Sequence, residues 1–242
     1  MRVAEIWRYP VKSMAGESLE TAEVTDLGIT GDRLVQVYGG NDVVVTARRY
    51  PRLLGHRATI GLDGEPRVDG RPWRDLSVLA DVRRIVGPEA SLSAEEDWRL
   101  RFDVLPLLVA TDGAIAEFGH DRRRLRPNLV IGGVPGLDER AWPGQRLRIG
   151  DVVIELAGLR GRCVMTTFDP DSLEQDHQVL RDIARRFGGK LALDGSVVRG
   201  GTIRVGQEVE LIPPRPAAVL SHRTAPRHLK PSRSSPAERR TR

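Results

Sequence analysis

The sequence predicts a mainly β protein with a few helices, an α+β chain of two barrel-like domains and a tail. Three observations predict it. Short runs of alternating apolar residues, separated by turn residues, recur from Val3 to Ile212. Hydrophobic residues make up 40% of the 242 but aromatic ones only 5%, so aliphatic strands must fill the core. Two segments carry a helical period, and neither sits in the regular alternation that builds a parallel α/β sheet.

Taken in order, the first strands are Val3–Tyr9 and Leu19–Val24. Leu34–Tyr38 and Val43–Ala47 flank "GGND", a hairpin with a Gly/Asn/Asp loop. Thr59–Trp73 is rich in turn residues and continues the β pattern. "GPEASLSAEED" at 87–97 interrupts the strands and sets a boundary between domains at 1–90 and 91–212. A helix is expected at Asp112–Phe118, with Thr111 or Asp112 as its N-cap. Arg146–Leu156 and Thr202–Ile212 resemble each other and read as strand, tight turn, strand, twice. Between them, Ser172 and Gln175 form a capping box ahead of Val179, Leu180, Ile183 and Phe187, and Gly188-Gly189 stops that helix.

The tail at 213–242 holds six of the sixteen prolines and almost no apolar periodicity, so disorder is expected there. It carries +7 of charge, which leaves residues 1–212 at −2. The folded part is therefore slightly acidic, which argues against a nucleic-acid groove, and nucleic acid is not an expected partner. No run approaches the roughly 20 apolar residues of a spanning helix. The first ten residues lack an apolar signal core, so a cytoplasmic protein without a membrane partner is expected.

Cys163 is the only cysteine. That excludes a disulfide within the chain, a four-cysteine zinc site and an iron–sulfur cluster held by this chain alone. Arg160 and Arg162 bracket it, and nearby positive charge favours a thiolate, a soft metal ligand or nucleophile. Local features still favour a small buried thiol. Thr166, Thr167 and Asp169 offer hydroxyls and a carboxylate for a polar pocket, or simply the turn before the helix. Lys12 and Ser13 lie on the loop after Pro10, Arg33 follows a glycine turn, and Arg126 and Asn128 stand at a strand entrance. Each cation suits a phosphate or an ordinary surface. Arg122, Arg123 and Arg124 read as the solvated part of their basic run. The histidines have no metal spacing, and no phosphate-cradling glycine loop opens a helix.

Together these pieces resemble the MOSC family, in which a β-barrel N-terminal domain precedes a molybdenum-cofactor sulfurase C-terminal domain. The resemblance rests on "YPVKS" at 9–13, "GITGDR" at 28–33, "RPNLVI" at 126–131, "GRCVMTTFDPD" at 161–171 and "GGTIRVGQEV" at 200–209. The branch it looks most like is that of the mitochondrial amidoxime-reducing components. The resemblance implies a molybdenum cofactor, with Cys163 as the metal ligand, against the local preference for an inert thiol. It implies that Lys12, Ser13, Arg33, Thr111 and Arg126 hold the pterin and its phosphate, with Asn128 and Arg162 in the same binding set. Thr166 and Asp169 join Cys163 as implied catalytic residues. The implied reaction is reductive removal of oxygen from an N-hydroxylated small molecule. Electrons must come from a separate ferredoxin, cytochrome or flavin reductase, because one cysteine cannot hold a cluster. The basic tail would suit an acidic donor. A monomer is expected, and the family's general description adds pyridoxal phosphate binding. One departure stands out. "LALDGSVV" puts Asp194 near a position where the family often has a tyrosine. Two other readings stay open: a sulfur carrier using a Cys163 persulfide, and a binding or regulatory module acting through the tail.

Overall fold

The structure, a computed structural model, describes residues 1–95 and 97–213. The expected tail therefore lies outside the described residues beyond Pro213. Strands dominate and helices are few, as expected.

Eight strands form the main sheet, and their spatial order departs from chain order. They run Glu210–Ile212, Arg146–Ile149, Val152–Gly161, Lys190–Arg199, Leu107–Thr111, Leu129–Gly132, Arg2–Arg8 and Glu17–Leu19. Three backbone bonds then turn the sheet back on itself. Val3 N–H donates to Gln207 O at 2.9 Å, Gly206 N–H to Val3 O at 2.7 Å and Val209 N–H to Met1 O at 3.0 Å. The ladder so closes into a barrel, and closure leaves few free edges. Val3, Ile6, Leu107, Leu129, Ile131, Leu147, Ile154 and Leu193 fill it, all fully buried. Most neighbours are antiparallel, but Leu107–Thr111 and Leu129–Gly132 run parallel. A parallel pair needs a crossover, and the helix Asp112–Phe118 lies within it.

The same three bonds correct one expectation. Thr202–Ile212 is not a second hairpin. Gly201–Arg204 pairs with Thr21–Thr25, whereas Glu210–Ile212 pairs with Arg146–Ile149. The amides of Gly206 and Val209 are spent on the N-terminal strand, so the turn between the two strands opens toward it. The expected strand Leu19–Val24 also breaks at Glu20, and its two halves join different sheets.

The GGND hairpin forms as expected, with Val37 opposite Val45. Residues on either side of position 90 share sheets: Ser91–Ala94 pairs with Val35–Tyr38, and Arg2–Arg8 with Leu129–Gly132. Ala58–Ile60, Pro66–Val68 and Arg71–Pro72 make a small meander. A second core collects Val11, Met14, Val35, Val37, Leu53, Val78 and Val82 around these strands.

The helices are α1 (Leu76–Val86), α2 (Trp98–Arg101), α3 (Asp112–Phe118) and α4 (His177–Phe187). No helix among the described residues is long and apolar enough to cross a membrane. Helix α1 escaped the sequence reading because it buries only Val78 and Val82 and exposes Leu76, too narrow a stripe to stand out. Helix α3 is capped by Thr111, whose hydroxyl accepts from Ala114 N–H at 3.1 Å. Helix α4 buries Val179, Ile183 and Phe187, as its period predicts. Its cap is Asp176, accepting from Gln178 N–H at 2.8 Å, and not the Ser172–Gln175 box. Asp169 explains the shift. Its Oδ1 accepts from the amides of Asp171 and Ser172, both at 3.0 Å, and commits those residues to a turn. Gln175 instead donates to Thr167 Oγ1 at 3.1 Å.

Candidate active site

The residue of greatest chemical interest sits where the two cores meet. The strand Val152–Gly161 delivers the chain to Arg162, whose amide donates to Gly189 O at 2.9 Å. Cys163 then opens a short turn at Val164–Thr167. Its carbonyl accepts from Thr166 N–H at 3.0 Å and from the Thr166 hydroxyl at 2.8 Å. Phe168 closes the turn and belongs to the N-terminal core, with Val164 and Met165 packed beside it. Burial of a phenylalanine contributes about 2–3 kcal/mol. The loop is therefore fastened at both ends, and the thiol remains partly exposed.

The exposed side of Cys163 faces a cleft of about 130 Å³. Lys12, Ser13, Arg33, Arg126, Asn128 and Arg162 line it together, although they come from well-separated parts of the chain. Three of them, Ser13, Arg33 and Arg126, have left-handed backbones at φ 73°, 51° and 57°. Non-glycine residues in that region cost about 1–3 kcal/mol each, and such strain gathers at ligand sites. Thr111, Thr166 and Asp169 do not line the cleft. Thr111 is fully buried, capping α3 and donating to Glu139 Oε2 at 3.2 Å. Asp169 Oδ2 accepts from Arg124 at 2.9 Å.

Three further arginines line the cleft: Arg48, Arg124 and Arg160. The reading of Arg124 as solvated is corrected. Its side chain is 10% exposed, and it donates to Thr167 O at 2.9 Å. No sequence pattern separates it from its neighbours in "RRRLR". Only the loop packed above it does so. Arg48 in "TARRYP" carries no sequence signal either.

Most of these cations have an anchor. Lys12 lies 3.2 Å from Asp103 Oδ1, and Arg48 holds the other oxygen of that carboxylate. Burial alone would raise Asp103, but Lys12 and Arg48 outweigh it and hold it below the usual carboxylate range. Arg33 pairs with the fully buried Asp32, which also accepts from Tyr9 N–H at 2.7 Å and Asn128 Nδ2 at 3.1 Å. Arg162 donates to Leu125 O at 2.7 Å. The Cys163 sulfur and Asp103 beside it hold Arg48 above its ordinary value.

Two features mark unmet demand for an anion. Arg126 stacks on the Tyr9 ring, 4.3 Å from its centroid, and its guanidinium has no hydrogen-bond partner among the described residues. Burial pushes both Arg126 and Arg162 down to about 10, still protonated at neutral pH. The Nε atoms of Arg124 and Arg162 are also buried without a partner. A ligand that brings anionic oxygens would satisfy these donors. Among the described residues no three His, Cys, Asp or Glu side chains gather as a metal cage. A metal at Cys163 would thus carry most of its own ligands. One cysteine sulfur facing a phosphate-seeking wall fits a pterin-bound molybdenum.

The family model described as the MOSC domain matches residues 110–210, and that of the MOSC N-terminal beta barrel domain matches residues 1–79. Mitochondrial amidoxime-reducing component 1 of Homo sapiens is 27% identical over 280 aligned residues, spanning 87% of this chain and 82% of that protein. Mitochondrial amidoxime reducing component 2 of Macaca fascicularis is 26% identical over 227, spanning 70% of this chain and 67% of that protein. Molybdenum cofactor sulfurase 2 of Culex quinquefasciatus is 40% identical over 68 residues, 28% of this chain and 9% of that protein. The crystal structure of the YuaD protein from Bacillus subtilis superposes with a TM-score of 0.50 at 12% identity. It covers 88% of this chain and 96% of that one, a likeness of fold alone.

Proposed function

We propose that this chain, which belongs to the MOSC-domain proteins and carries their N-terminal barrel domain as well, binds a molybdenum cofactor at Cys163 and reduces N-hydroxylated compounds. The observation that carries this reading is the cleft itself. One partly exposed thiol meets a wall of arginines, of which Arg124, Arg126 and Arg162 retain unpartnered donors. The similarity to amidoxime-reducing components supports the choice of reaction.

The net change is R–NHOH + 2 e⁻ + 2 H⁺ → R–NH₂ + H₂O. The N–O bond breaks, the nitrogen is reduced and the oxygen leaves as water. The bound cofactor would supply the two-electron exchange, and a separate donor would refill it. The residues of this chain bind and orient. The Cys163 thiolate would hold the metal, and Lys12, Ser13, Arg33, Arg126 and Arg162 would hold the phosphate and pterin. Asn128 keeps Arg33 in place through Asp32, and its Oδ1 accepts from Leu108 N–H at 3.1 Å. Thr166 and Asp169 enter as positioning residues, one bonded to the Cys163 carbonyl and the other to Arg124.

The test is metal content with activity. Protein purified from a host that makes the cofactor should carry about one molybdenum per chain. It should reduce benzamidoxime with an artificial electron donor, and Cys163→Ser should lose both properties. Undiminished reduction by Cys163→Ser would refute the assignment. The match to the molybdenum cofactor sulfurase, with the partly exposed thiol, favours a second reading as a sulfur carrier. Cyanide-releasable sulfur on Cys163, with no molybdenum, would decide for it.

A further inference from the structure

We infer that Arg160, anchored by Asp194, is a carboxylate-recognising residue that selects N-hydroxylated substrates bearing an anionic group. This rests on the reading of the cleft as a reductase site. Asp194 stands in an otherwise apolar stretch, between neighbours on both sides. It lies opposite Leu108 on one strand and opposite Gly158 on the other. It is 7% exposed, and burial raises its carboxyl against the pull of Arg160. A buried carboxylate in such a strand is unfavourable unless it holds a cation. The cation it holds is Arg160, whose Nε lies 2.8 Å from Asp194 Oδ1. That contact is an ion pair, and Asp194 Oδ1 has no hydrogen-bond partner among the described residues, so the inner edge of the guanidinium is anchored without being saturated.

The outer edge is what matters. Arg160 lines the cleft three residues before Cys163, and its terminal nitrogens have no hydrogen-bond partner among the described residues. Most of its cationic neighbours are already engaged. Lys12 and Arg48 hold Asp103, Arg33 holds Asp32, and Arg124 holds Asp169. Arg126 also keeps a free guanidinium, but it lies on the Tyr9 ring, on a separate strand entrance. Arg160 lies within one register irregularity, between Leu159 and Gly161, and a second precedes it between Leu156 and Gly158. Irregularities of this kind re-aim side chains next to sites. A guanidinium fixed at Nε presents two parallel N–H donors, a geometry that fits one carboxylate. A neutral group gains far less from that fork, so discrimination of about tenfold to a hundredfold follows.

The experiment compares benzamidoxime with 4-carboxybenzamidoxime on the molybdenum-loaded full chain. Wild type, Arg160→Gln and Asp194→Asn are assayed. Calorimetry adds the binding of 4-carboxybenzamidine to each. Wild type should favour the carboxylated probe at least tenfold in kcat/KM, through KM. Arg160→Gln should bring that ratio close to one and weaken 4-carboxybenzamidine at least tenfold, with Asp194→Asn intermediate. Equal kcat/KM for the two probes in wild type would overturn the proposal. So would loss of molybdenum from Arg160→Gln, which would assign the guanidinium to the cofactor. If wild type reduces neither probe, the reductase reading fails by itself. Calorimetry then still decides Arg160: unchanged affinity in both variants overturns the proposal, and a tenfold loss sustains it.

Discussion

Arg126→Gln separates a ligand-binding cation from a structural one. Burial pushes the guanidinium down from its ordinary value to about 10, which corresponds to about 3 kcal/mol against the charged form. Both values lie above neutral pH, so the whole cost is present at pH 7 and is relieved only in strong alkali. Stacking on Tyr9 returns about 1–2 kcal/mol. The charge therefore leaves the cofactor-free protein about 1–2 kcal/mol less stable than a neutral residue of similar size would. Glutamine should raise its Tm by about 2–4 °C per kcal/mol. The assay is thermal unfolding of the cofactor-free protein, followed by circular dichroism, beside molybdenum content after expression in a cofactor-making host. The expected pair of results is a higher Tm and a molybdenum content at least tenfold lower. A lower Tm with unchanged molybdenum would show that Arg126 serves the fold, and the reasoning from its unmet donors would be wrong.

The remaining expectations concern the fold. Asp176→Ala should lower stability by about 1 kcal/mol in urea unfolding, whereas Ser172→Ala should stay within about 0.5 kcal/mol. The reverse order would restore the Ser172–Gln175 box as the cap of α4. Glu139 is fully buried with Oε1 unpartnered, and burial raises its carboxyl above the usual range. A raised carboxyl contributes stability that is present below the unfolded value and lost as pH rises through the folded one. Glu139→Gln should therefore flatten the fall in stability above pH 4.5, read from Tm against pH, and an unchanged slope would rule out this residue as its source.

Much of the site was legible because its residues carry local marks. Cys163 is the only thiol, Lys12 and Ser13 follow a proline, and Arg33 follows a glycine turn. Their convergence was legible only through resemblance, since no spacing joins position 12 to 163. Arg48 and Arg124 left no mark at all, and Arg160 was legible only as a charge beside Cys163. An arginine in a basic run is buried or solvated according to what packs above it, and for Arg124 that is the loop fastened by Phe168. Thr111 was legible as a cap but not as a residue turned away from the cleft toward Glu139.

By itself the sequence determined the mainly β character, the buried face of α4, the lone thiol and the cluster chemistry that one thiol rules out. Periodicity and composition are local properties, and they survive without knowledge of partners. The tertiary structure decided where strands go and what charges face. Barrel closure at Val3, Gly206 and Val209 split an apparent hairpin, because backbone donors took the nearest available carbonyls across the chain. The fate of each arginine followed in the same way. A guanidinium becomes a binding group only where burial strips its water and packing withholds a partner, and both are set by residues far away in the chain.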